Sequence, residues 1–319
     1  MFVGAYFDVI VSAIAALSEK KMIPVGGQAV IEGVLMKGPE HWGLAVRKPD
    51  GSICMKSWLG SGWLKRGIWK VPVIRGFATM VEMMRIGMRA LSMSADISLG
   101  EEEKISPFET FISVAVALLG VVGLFIALPM FFSEYAKEMF ALGEFGKNAV
   151  EGIVRGVVFI GYVVLISMWK EIARVFEYHG AEHKTINAYE DEADLRPETV
   201  SRYSRIHRRC GTSFLIVVVV VSIIVFSAVG HGSVLWRVGS RIVLLPVVIG
   251  ISYEFIRAAA KSDTWGKYCI MPALCLQYVT TREPSLDQLE VAIAALDVAL
   301  HPEKENVNCT LGGVANGID

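Results

Sequence analysis

The chain has 319 residues, 53% of them hydrophobic, with a mean hydropathy of +0.49 and a formal net charge of −1. The apolar share exceeds the roughly 45–50% of ordinary soluble domains and calls for a bilayer to cover it, while the near-neutral charge excludes the basic excess of a nucleic-acid binder. Five cysteines (Cys54, Cys210, Cys269, Cys275 and Cys309), odd in number and without a CxxC pair, exclude a disulfide framework or a zinc ribbon and read as reduced thiols.

In chain order, residues 1–22 open with a small, apolar stretch that has no basic leader, contains Asp8 and falls short of a span. It reads as an interfacial helix rather than a cleaved signal. Residues 23–60 change to alternation with turn punctuation, which predicts a small cytosolic antiparallel β-sheet. Its strands are Ala29 to Met36, Leu44 to Lys48 and Ser52 to Trp58, with a turn at Lys48-Pro49-Asp50-Gly51. Residues 71–98 form an amphipathic helix rich in methionine (Met80, Met83, Met84, Met88, Met93) that also carries Arg75, Arg85 and Arg89. That stripe reads as a packing or membrane-lying face, not a ligand site.

Residues 107–256 predict a four-span membrane domain, since a crossing takes about 20 apolar residues. The spans are Pro107 to Phe132, Asn148 to Trp169, Thr212 to Val229 and Val234 to Ile256; Glu151, Arg155, Arg237, Arg241 and Pro246 interrupt the second and fourth. Thirteen Lys and Arg precede the first span, and eight more, from Lys170 to Arg209, lie between the second and third. Basic residues stay on the cytoplasmic side, which predicts a multi-pass protein of the inner membrane with both termini and the 170–211 connection in the cytosol. Residues 257–300 read as cytosolic or interfacial helices. Ile270 to Val279 is too short to span, and Ser285 with Gln288 forms a capping box for a helix to about Leu300. Residues 301–319 read as a disordered tail. The fold class is an α+β membrane protein.

The chemically pointed run is His179-Gly180-Ala181-Glu182-His183, just beyond the second span. On a helix, positions i and i+4 share a face, so both imidazoles can aim at one divalent cation, and these ligand types suit zinc. Glu182 is placed to act as general base on a water activated by that ion. A catalytic site needs a third protein ligand, for which Glu254, near the cytoplasmic end of the fourth span, and His207 are the candidates. His207 and Cys210, at i and i+3 on a helix opened by Pro197, form a competing ligand pair that can equally be plain packing. Without metal, the two motif histidines would be interfacial groups hydrogen-bonded to Glu182 or Glu190. Gln28 and Glu32 could approach the site from the sheet, and Asp263 could line the same cytosolic pocket. Arg202, Arg205, Arg208 and Arg209 read as a headgroup anchor, and Phe176 with Tyr178 as an aromatic belt.

Several long runs occur in one order: Gly-Gly-Gln-Ala-Val-Ile-Glu-Gly-Val-Leu-Met from Gly26, Ala-Val-Arg-Lys-Pro-Asp-Gly from Ala45, Glu-Tyr-His-Gly-Ala-Glu-His-Lys (177–184), Arg-Arg-Cys-Gly-Thr-Ser (208–213), Ser-Tyr-Glu (252–254) and Thr-Thr-Arg-Glu-Pro (280–284). Over about residues 23–300 they resemble the bacterial YqhQ family of membrane proteins, which carry a domain of unknown function. The resemblance implies a metal-dependent enzyme with no assigned substrate. Together these readings predict a metal-dependent hydrolase at the cytosolic membrane face, acting on a lipid or a membrane peptide. The alternatives are a non-enzymatic scaffold or assembly factor, or a small transporter. The expected partners are the bilayer, its anionic headgroups and a second copy or another membrane protein, with no nucleic acid.

Overall fold

The computed structural model describes residues 25–60, 67–99, 107–207, 210–229, 233–259 and 265–305. The expectations for residues 1–22, for Asp263 and for the tail beyond residue 305 fall outside these segments. Four strands, β1 (Gly26–Val30), β2 (Gly33–Lys37), β3 (His41–Arg47) and β4 (Ile53–Leu59), form one antiparallel sheet in sequence order. The expected first strand is split in two by a turn at Ile31-Glu32, where Glu32 takes a positive φ of 50° and Val30 pairs with Gly33. An apolar pattern that continues through a two-residue turn hides the turn from a periodicity reading. The Lys48–Gly51 turn forms as the Pro-Asp-Gly sequence demands, with the Gly51 N–H donating to the Lys48 carbonyl at 2.9 Å and Gly51 at φ 84°.

Helices follow: α1 (Ile74–Leu99), α2 (Pro107–Val122), a π turn (Gly123–Ala127), α3 (Leu128–Phe140), α4 (Glu144–Ile166), α5 (Lys170–Glu190), α6 (Pro197–Val200), α7 (Thr212–Ala228), α8 (Val234–Ala259), α9 (Trp265–Thr280) and α10 (Leu286–Leu300). The sheet is covered on both faces. Val34, Met36 and Ala45 pack against Leu289, Ala292 and Leu296 of α10 and Ala181 of α5, while Leu35, Leu44 and Val46 pack against Ile86 and Ala90 of α1. The two-residue period of β2 sends Val34 and Met36 to one layer and Leu35 to the other, which explains why that strand is apolar without alternation. Ser285 and Gln288 cap α10 reciprocally, as their spacing predicts.

Among the described residues, three helical stretches are long and apolar enough to cross a membrane: Ala115–Phe140, Glu144–Ile166 and Val238–Ala259. The remaining expected span, α7, is a shorter apolar helix of 17 residues, at the low end of the range of about 17–25 that a crossing takes. Three of the charges that interrupt the spans, Glu151, Arg155 and Arg241, find one another. Arg241 of α8 donates to Glu151 at 2.8 Å, and Arg155 donates to Glu151 at 2.7 Å and to the Phe125 carbonyl of the π turn at 2.9 Å. Cys210 and Cys275 are outside any disulfide, as expected, but Cys54 on β4 is disulfide-bonded. Tertiary proximity, which sequence spacing does not report, decides such a pairing.

Candidate metal centre

Helix α5 carries the His-x-x-Glu-His run and is buried along its middle, from Gly180 to Ile186. Its close seating requires Gly180: a Cβ there would collide with the Arg282 carbonyl. One turn of helix brings the His179 and His183 rings to a centroid separation of 4.4 Å. Each ring is held by its Nδ1. That of His179 lies 2.7 Å from the Thr280 carbonyl at the end of α9, and that of His183 lies 2.6 Å from the Arg205 carbonyl. A carbonyl only accepts, so both Nδ1 atoms carry the proton and each Nε2 offers its lone pair, as in metal-ligating histidines whose other nitrogen donates to a carbonyl.

Those lone pairs converge. The His183 Nε2 is buried and meets no hydrogen-bond partner among the described residues. An orphaned buried nitrogen costs about 1–3 kcal/mol unless something outside the protein satisfies it. The His179 Nε2 lies 3.3 Å from the Cys210 Sγ, and single ligand atoms of His179, His183 and Cys210 all fall within 4.8 Å of one another. Tetrahedral zinc with bonds of about 2.0–2.1 Å to nitrogen and 2.3 Å to sulfur needs donor separations of about 3.3–3.6 Å, which the His179–Cys210 pair already has and which the set reaches by drawing together. The Thr212 N–H, at 3.4 Å, donates to the same sulfur. Burial, reinforced by the neighbouring His179, pushes the His183 pKa down to about 3, keeping the ring neutral as a ligand must be.

Glu182 is 4% exposed, and its Oε2 stands 3.7 Å from the His179 Nε2 and 3.8 Å from the His183 Nε2. Burial drives its carboxyl pKa up to about 7, against opposing pulls from His179 and from the Gly27 backbone N–H that donates to it. Gly27 is a close approach between sheet and helix, since a Cβ on it would come within 2.8 Å of the Glu182 Cγ. Nothing in the sequence marks Gly27 as a partner of Glu182, although both lie inside long glycine-framed runs.

The other candidates are placed elsewhere. Glu254 is bound to Arg75 of α1 through two hydrogen bonds, one of 2.6 Å from Nε to Oε1, and is outside the histidine–cysteine group. His207 is buried with its Nε2 3.5 Å from Glu190, and its ring centroid is 5.7 Å from that of His183; burial lowers its pKa to about 4. The helix expected to align His207 with Cys210 stops at Val200, so the two do not share a helical face, and Cys210 joins the motif histidines instead. Tyr178 is wholly buried, with its hydroxyl donating to Glu32 at 3.2 Å, so it is a core residue rather than part of an aromatic belt. Glu32 is clamped by Arg174, and Gln28 lies against Gly87 of α1. Arg205 donates to the Thr281 carbonyl and lies 3.6 Å from Glu283, a packing role rather than a headgroup anchor.

A family model described as "Protein of unknown function (DUF1385)" matches residues 71–302. "Uncharacterized protein YqhQ" of Bacillus subtilis (strain 168) is 36% identical over 307 residues, covering 90% of this chain and 96% of its own. No solved structure matches. The Cys210–Thr212 segment, the motif helix and the Thr280–Arg282 turn all fall inside the family match, and with a relative aligned along nearly its whole length the chain belongs to the YqhQ family, whose shared domain is DUF1385.

Proposed function

We propose that this protein is a multi-pass inner-membrane, metal-dependent hydrolase whose site faces the cytosol and acts on a lipid or membrane-peptide substrate. The observation that carries the reading is the His183 Nε2, buried without a partner and converging on the His179 Nε2 and the Cys210 Sγ. Two imidazoles and a thiol suit zinc, not magnesium or calcium, which take oxygen donors. Three protein ligands leave a fourth position open, as catalytic rather than structural zinc sites do. When bound, the ion would supply Lewis acidity to a water and to the substrate's carbonyl or phosphoryl oxygen.

The chain's own residues then have defined tasks. Glu182 takes the proton of the attacking water as its oxygen bonds to the electrophilic carbon or phosphorus, and returns that proton to the leaving group as the scissile bond breaks. A carboxyl pKa of about 7 suits a general base working near neutrality. The Thr280 and Arg205 carbonyls fix the imidazole tautomers. The depth of the site supports a substrate presented at the membrane face, because Cys210 directly precedes α7 and the motif helix follows the Glu144–Ile166 stretch.

Elemental analysis of the detergent-purified full chain tests the reading. One zinc per chain is expected, with loss in His179→Ala; a variant that keeps stoichiometric metal removes this ligand assignment. An unbiased lipid comparison between a deletion strain and its parent would then expose the substrate class.

A further inference from the structure

We propose that the outward face of α1 lies on the membrane surface and binds anionic phospholipid headgroups. The proposal rests on the membrane reading given above and adds a second, peripheral contact to it. Helix α1 has two faces of opposite fate. Ile86 and Ala90 seal the sheet, whereas Val81, Met84, Met88 and Leu91 point away from it and are exposed, Met84 at 56% and Met88 at 68%. At 100° per residue those four fall within one arc of roughly 80°, and Arg85 and Arg89 follow about 40° and 80° beyond its Val81 edge.

The arrangement fits a lipid surface and little else of soluble chemistry. Large apolar side chains flanked by cations on one edge let the former enter the acyl boundary while the guanidiniums reach headgroup phosphates. The Arg85 side chain is 71% exposed even with Glu82 at 3.6 Å, and the acidic residue on the same flank, Asp96, lies two turns beyond Arg89. Position supports the same occupant. The first turn of α1 is fixed to α8, one of the stretches apolar enough to cross a membrane, by the Arg75–Glu254 pair. A Cβ on Gly76 of α1 would meet the Tyr253 Cβ of α8 at 2.8 Å. Just before α1, Ile68, Trp69 and Val71 are exposed as well, beside Lys70. The exposed face is therefore carried by a helix whose first turn is held against the C-terminal end of the Val238–Ala259 stretch.

The test places a photoreactive benzoylphenylalanine at Met88 of the full chain in nanodiscs of mixed phosphatidylglycerol and phosphatidylcholine, with the same residue at Leu119 in a second sample. Leu119 lies in the first long apolar stretch and is 72% exposed. After irradiation, mass spectrometry should find phospholipid adducts at both positions. The phosphatidylglycerol-to-phosphatidylcholine adduct ratio at position 88 should fall at least threefold in the Arg85→Glu/Arg89→Glu variant. Lipid adducts at 119 but none at 88 overturn the proposal and leave the membrane reading standing; adducts at neither position remove both. A crosslinked dimer through position 88 would show that a second copy covers this face and would also overturn the proposal.

Discussion

Replacing His183 with leucine separates a metal ligand from a buried histidine that merely packs. Without metal, the native ring leaves its Nε2 unpaired at 1% exposure, while its Nδ1–H satisfies the Arg205 carbonyl. Leucine removes the orphaned nitrogen, a relief of about 1–3 kcal/mol, and forfeits one hydrogen bond worth about 0.5–1.5 kcal/mol while exposing that carbonyl's own desolvation penalty. The opposing changes are of similar size, so the metal-free variant should melt within a few degrees of the metal-free native protein. With metal the comparison changes. At free zinc 100-fold above Kd, a ligand bound only by the folded state adds about 2.7 kcal/mol. At about 2–4 °C per kcal/mol for a chain of a few hundred residues, that is a rise of about 5–11 °C. Thermal unfolding of the detergent-solubilised chain, with zinc against a chelator, reads the difference directly. The native protein should show the rise and His183→Leu should not. An equal rise in both would refute the assignment of the unpaired nitrogen to a cation.

Three further outcomes follow from the same geometry. Cobalt substitution should produce a near-ultraviolet thiolate-to-metal charge-transfer band, and Cys210→Ser should abolish it while lowering metal affinity by well over the roughly 10–100-fold typical of outer-shell changes. Gly180→Ala drives a methyl into the Arg282 carbonyl, so it should destabilise the fold by about 1–3 kcal/mol, seen as a lower Tm, and weaken zinc retention by displacing Thr280. Glu254→Gln should leave zinc stoichiometry unchanged by elemental analysis, because its carboxylate serves Arg75; loss of metal in that variant would return Glu254 to the ligand set.

Most local features of this fold are written in local sequence, the turn at Ile31-Glu32 excepted, and most of the failures are long-range. The capping box at Ser285 and Gln288, the Lys48–Gly51 turn and the shared face of His179 and His183 each depend on spacings of three or four residues, and each is legible. Cys210 is among the candidate ligands, but its grouping with the motif histidines is not legible, because it depends on where a distant segment returns. Cys210 and His207 sit three residues apart and suggest one helix, yet the helix begun at Pro197 ends at Val200. The released chain turns Cys210 toward His179 and buries His207 beside Glu190. A carboxylate in a span advertises itself as Glu254 does, but its partner, Arg75, is 179 residues away and no pattern in the sequence joins them. Tyr178 looked interfacial because it adjoins a span; the sheet that buries it is remote in sequence.

The same remoteness gives the centre its physical character. Its groups come from four places: the α5 motif, the Arg205–Thr212 connection, the end of α9 at Thr280, and the first strand through Gly27. No two of these are adjacent in sequence, and each contributes one constraint on the imidazoles, the thiol or the carboxylate. A cation gripped by His179, His183 and Cys210 therefore ties the motif helix to the start of α7. Through the Nδ1 bonds it also stiffens the turns at Arg205 and Thr280. Glu182 cannot shift without disturbing the Gly27 N–H of the sheet. Metal bound there would thus reinforce the docking of the sheet layer onto the helices, because it would fix groups that the docking also uses. Chelation should accordingly raise amide hydrogen exchange at β1 and around Thr280 as well as along α5, whereas a metal held only by a preformed helix face would leave β1 unchanged.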